Sequence, residues 1–134
     1  MGLNRYLGTG KIGKVTFKEL EQEGGTLQIC SINVPINHWT PGRGGQEGRE
    51  ETLWFELAQF HHSTKDAGRF NMAEKWRDTY QDRDDVWISG KPTIRTYMKS
   101  DGTPGVAIKL NDPEIGHTAK RAEVVEQQLE QMPF

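Results

Sequence analysis

Trp54 and Phe60 lie in the run Glu51-Thr52-Leu53-Trp54-Phe55-Glu56-Leu57-Ala58-Gln59-Phe60. On a strand, successive side chains face opposite ways. Leu53, Phe55 and Leu57 then share one face and supply a core. Trp54, Glu56, Ala58 and Phe60 share the other, which mixes large rings with polar and small groups. Aromatic area left in water is costly, so those rings call for a partner. A flat ring on a sheet suits an unpaired base. A second run repeats the pattern. Read as a strand, Asp84 to Lys99 places Val86, Ile88, Ile94 and Met98 on a core face. Trp87, Lys91, Arg95 and Tyr97 fall on the opposite one. Cations that meet phosphates, alternating with rings that stack on bases, suit single-stranded nucleic acid. Lys99, and Arg43 and Arg49 in a glycine-rich loop, add further candidate phosphate contacts.

Other chemistries lack their partners. Gly8-Thr9-Gly10-Lys11-Ile12-Gly13 fits Gly-x-Gly-x-x-Gly, but a dinucleotide site needs a helix next, and Val15-Thr16-Phe17 reads as strand. His61-His62 has no third ligand at zinc spacing, which favours a polar loop. Asp82, Asp84 and Asp85 lack a calcium-loop pattern and suit the capping of a turn. No nucleophile–base pair or carboxylate constellation is present, so no enzyme activity, metal or cofactor is expected.

Length and composition narrow the class. The chain has 134 residues, enough for one domain. Net charge is −2, and the sequence pI is about 6.1. Charges balance over residues 1–112. The negative excess falls in 113–134, where Lys120 and Arg121 meet Glu114, Glu123, Glu126 and Glu130. Any polyanion site must therefore come from local clustering. Cys30 is the only cysteine, which points to a reducing compartment. No apolar run approaches the ~20 residues of a membrane helix, and no signal-peptide core opens the chain. The expectation is a cytoplasmic, nucleoid-associated protein without a membrane partner.

The elements that must position these residues follow from glycines and alternation. Residues 3–18 read as one strand bent at Gly8, Gly10 and Gly13. Residues 21–25 form a turn. Thr26 to Trp39 is β-rich, but Leu27 and Ile29 face one way and Ile32, Val34 and Ile36 the other, so a bulge is expected near Cys30. Thr40 to Glu50 is a loop, and the opening strand follows. Phe70 to Asp82 is the one good helix: Met72, Trp76 and Tyr80 recur every four residues, and Trp76 reads as a core plug. After the strand from 84 to 99, interrupted at Gly90 and Pro92, Ser100 to Gly105 turns and Val106 to Leu110 returns. The predicted class is all-β. Five strands with a helix between the third and fourth match the order of an OB-fold Greek-key barrel. Residues 1–112 are the binding domain and 113–134 a short acidic tail.

These residues, in this order, resemble the bacterial single-stranded DNA-binding protein (SSB) family. Asn4-Arg5-Tyr6-Leu7-Gly8-Thr9-Gly10-Lys11-Ile12-Gly13 is similar to the family's first strand. Asp85-Val86-Trp87-Ile88-Ser89-Gly90 resembles the stretch opening its fourth. Trp39, Trp54, Phe60 and Tyr97 fall where the family has base-stacking rings. The resemblance covers about residues 3–111. It implies an OB barrel, assembled as a homotetramer, that binds single-stranded DNA, here expected with little sequence preference; the extra aromatic surface and near-neutral charge by themselves suit self-association as a dimer or tetramer. The link His61 to Arg69 is longer than usual. The family's acidic tip closes with Ile-Pro-Phe; this chain ends in Met132-Pro133-Phe134 without the aspartate cluster, and Ala119 to Gln131 has a helical pattern. Recruitment of replication or repair proteins through that tip is the corresponding expectation, with a frayed terminus as its alternative.

Other readings remain open from residues alone. Trp54 suits an oligomer interface as well as a base, and Trp87 suits subunit packing. An RNA-binding or replication-restart OB module would use the same face, and a protein-interaction OB domain would turn its aromatics to a partner chain.

Overall fold

In the computed structural model, residues 4–118 are described. They form strands β1 (Tyr6–Lys11), β2 (Lys14–Gln22), β3 (Gly25–Thr40) and β4 (Arg49–His62), helix α1 (Met72–Thr79), then β5 (Asp85–Met98) and β6 (Pro104–His117). One sheet contains all six strands in the order β1-β5-β6-β4-β3-β2. Neighbours are antiparallel except β4 and β6, which run parallel.

The sheet is an open ladder of six strands, where a closed barrel of five was expected. The expected first strand breaks at Ile12–Gly13, and its halves become the two sheet edges: β1 pairs with β5 and β2 with β3. The backbone N–H of Gly13 donates to the Asn33 carbonyl at 2.8 Å. A Cβ at Gly13 would lie 2.5 Å from Asn33 Oδ1, so a larger residue here would have to displace that side chain. Because the first strand counts as two, the helix follows the fourth strand, not the third.

The core comes from inward positions: Ile12, Cys30, Ile32, Val34, Phe55, Leu57, Val86, Ile88 and Leu110, all buried. Tyr6 stacks on Phe55 at 4.3 Å between ring centroids. Ala73 and Trp76 of helix α1, with Tyr80 just past its end, pack into the core. The helix is shorter than the expected 70–82, because Asn71 caps it: the Asn71 side chain accepts from the Glu74 N–H at 3.0 Å. Trp76 is the plug its spacing predicted.

Four further expectations are corrected. No bulge occurs at Cys30: β3 pairs without a register shift from Leu27 to Thr40. Leu27 and Ile29 lie on the outer face, where Ile29 sits opposite Phe60. The core does not continue along β5. Ile94 and Met98 are 71% and 72% exposed, because the β5–β6 hairpin runs on past the elements that cover Val86 and Ile88. The irregularity near Gly90 is mainly on the partner strand: pairing steps from Ser89 to Lys91 on β5 but from Glu114 to Asn111 on β6. Asp112 there has a positive φ of 48°. Strand β6 also runs through residue 112 to His117. The tail residues Met132, Pro133 and Phe134, and the helical pattern from 119, lie outside the described residues.

The flanking acids tie turns together. Asp82 accepts from the Val15 N–H, Asp84 from the Gln81 N–H and pairs with His117 at 2.8 Å, and Asp85 pairs with Lys11. His62 closes β4: its Nδ1 accepts from the N–H groups of Thr64 and Lys65.

Candidate nucleic-acid interface

The outer face is assembled by register. On β4 it carries Trp54, Glu56, Ala58 and Phe60. Trp54 lies beside Ala107 of β6, and Ala107 lies beside Arg95 of β5. Two pairs further along, on the same face, Gly105 lies beside Tyr97. Small residues in the middle strand leave room for large ones on both sides. Ala107 is buried between its neighbours. A Cβ at Gly105 would meet the Tyr97 ring at 2.6 Å, so the ring lies across the glycine.

The rings remain open to solvent. Trp54 is 38% and Phe60 56% exposed, and Tyr97 is half-buried. Trp54 and Tyr97 line one groove of about 510 Å³ with Lys99, Glu50 and Glu51. Phe60 lines a neighbouring trough of about 430 Å³ with Lys14, Glu56, Arg95 and Lys109. The two rings of β4 are six residues apart, about 20 Å along a strand. Arg95 sits between them and forms an ion pair with Glu56.

The remaining candidates divide. Trp39 shares the outer register, opposite Glu50, but lies out on the β3–β4 hairpin against Gly48. Arg43 and Arg49 line a cleft at that same tip, and Arg49 pairs with Glu51 at 2.8 Å. Lys91 flanks the face near Asn111 and pairs with Asp112 at 3.4 Å. Trp87 stands apart. It lies across Gly116 and lines a groove with Met72, Lys75 and Trp76 of α1, on the far side of the register shift. The structure does not bring it together with Trp54, Phe60 and Tyr97.

Sequence reasoning missed Lys14 and Lys109. Lys14 pairs with Asn33, Asn33 with Glu56, and Glu56 with Lys109, which lies opposite Thr93. The signal was the alternation Lys14-Val15-Thr16-Phe17-Lys18, whose outward side is polar and basic. Among the described residues no group of three metal-ligating side chains occurs. The one thiol, Cys30, is buried in the core, and burial raises its pKa to about 11 against a smaller lowering by Arg77.

Solved structures that share this architecture include two single-stranded DNA-binding proteins. One is a Plasmodium falciparum SSB in complex with single-stranded DNA: TM-score 0.54, 16% identity, 88% of this chain and 97% of that one covered. This chain shares that fold, an OB-like sheet with one short helix. The second is a small single-stranded DNA-binding protein from Streptomyces coelicolor: TM-score 0.52, 17% identity, 90% of this chain and 99% of that one covered. No family model matches the chain. No curated protein matches it significantly.

Proposed function

We propose that this SSB-type OB domain binds single-stranded DNA without enzymatic activity and with little sequence preference. The observation that carries the reading is the row Trp54, Ala107, Arg95, with Tyr97 two pairs away on the same open face. Rings stack on bases, while Lys14, Arg95, Lys99 and Lys109 meet phosphates. Trp39, Arg43 and Arg49 extend the path over the β3–β4 hairpin. Two proteins of the same fold, one in complex with single-stranded DNA, support this reading. A role in replication, repair and recombination in the cytoplasm goes with it.

The test is equilibrium binding of a labelled oligo-dT over a salt series. Log affinity falls with log salt at a slope of about −0.7 for each phosphate neutralised. No binding at low salt, or an affinity indifferent to salt, overturns the proposal. Competition with an RNA oligomer tests the preference for DNA, since only RNA presents a 2′-hydroxyl.

Self-association as a dimer or tetramer belongs to the same reading. Strand β1 is a sheet edge, and its Leu7 is exposed. Light scattering that gave a monomer at micromolar concentration would refute it.

A further inference from the structure

Glu56 is a carboxylate in the middle of the outer face, set among the cations of the Phe60 trough. Its neighbours across the sheet are Asn33 on β3 and Lys109 on β6. Its Oε1 accepts a hydrogen bond from Arg95 Nη2 on β5. Of the residues lining the Phe60 trough it is the only acid, against the cations Lys14, Arg95 and Lys109. Both members of the Arg95–Glu56 pair are partly exposed, so the pair contributes little to folding. Its effect falls on the ligand. The Nη2 of Arg95, which would otherwise be free to turn to a phosphate, is held by the carboxylate. The carboxylate left behind repels any phosphate that replaces it.

We propose that Glu56 is an affinity-setting latch: it holds Arg95 while the face is empty and yields it to a phosphate when DNA enters. The inference rests on the single-stranded DNA reading above. It makes Glu56 a negative determinant of that site. Each binding event exchanges one ion pair for another, so Arg95 gives less net affinity than a free cation would. The nucleic acid then leaves more readily than it would from the same rings and lysines alone. Lys109, next to Glu56 in the register, is partly offset by the same charge.

The experiment compares wild type, Glu56→Gln, Arg95→Ala and the double variant in oligo-dT titrations over a salt series. Thermal melts check that each variant folds. Gln keeps the shape of Glu56 on the outer face, and its melting temperature is expected to stay near wild type. Glu56→Gln should bind about twofold to fivefold more tightly at moderate salt, the effect of releasing one exposed ion pair. Its salt slope should steepen, by up to about 0.7, because in the wild type the freed Glu56 takes up a cation as the phosphate releases one. In the Arg95→Ala background the Gln substitution should gain much less. Unchanged or weaker binding by Glu56→Gln, with wild type binding normally, overturns the latch and leaves the DNA reading standing. An undiminished gain in the Arg95→Ala background also overturns it, since Glu56 would then act without Arg95. Failure of both wild type and Glu56→Gln to bind at low salt overturns the DNA reading and the latch together.

Discussion

Tyr97 lies across Gly105, its cross-strand partner, so closely that a Cβ on the glycine would come within 2.6 Å of the ring. The glycine sets the height of the phenol above the sheet and so its availability to a base. Gly105→Ala is therefore expected to lift the ring and weaken oligo-dT binding. The loss should match that of Tyr97→Ala, about 1–3 kcal/mol for one stacked base. The double variant should lose little more than either single one. Binding titrations measure this, and additive losses would separate the two residues.

The tryptophans should respond differently to truncation. Trp54→Ala and Phe60→Ala remove exposed rings and should each weaken DNA binding by about 1–3 kcal/mol, with small changes in melting temperature. Trp76 fills the core beneath α1, and Trp76→Ala should cost about 3–5 kcal/mol of stability. Trp87→Ala should leave oligo-dT affinity near wild type, because Trp87 lines a groove beside the helix. Paired melts and binding curves read out all four variants.

Lys14 and Lys109 flank the Phe60 trough. Lys14→Ala and Lys109→Ala should each lower the magnitude of the salt slope by about 0.7. Their loss of affinity should be alike for oligo-dT and oligo-dA, since phosphate contacts carry no sequence. A slope unchanged in both variants would take the path away from this trough.

Cys30 gives a pH dependence with a definite sign. Burial raises the thiol from 9.0 to about 11 in the folded protein. The unfolded chain loses this proton first. The thiol's contribution to stability is therefore complete below about pH 9 and is lost as pH rises toward 11. Denaturant melts from pH 8 to 11 should show a decline that Cys30→Ala reduces. At neutral pH the thiol should resist alkylation until the protein unfolds.

Strand β4 was legible in the sequence because its two faces differ in composition: Leu53, Phe55 and Leu57 are what a core takes, and Trp54 and Phe60 are not. The same alternation located Arg95 and Tyr97. It failed at Ile94 and Met98, since alternation says which residues share a face but not whether anything covers it. Leu27 and Ile29 misled for the same reason, because an outer face can hold aliphatics beside Phe60. The break at Ile12–Gly13 depends on β1 and β2 finding different partners, β5 and β3. Lys14 and Lys109 are far apart in sequence and meet only through β3 and β4. Glu56 was visible on its face, but its grip on Arg95 appears only once β4, β6 and β5 are side by side.

Tryptophan emission during titration with oligo-dT at low salt tests the central claim most directly, with Trp54→Ala run in parallel. The account predicts strong quenching in the wild type and a clearly smaller fraction quenched in the variant, since Trp54 stacks on a base and Trp76 stays in the core. Unquenched emission in the wild type, or identical quenching in the two proteins, would contradict it.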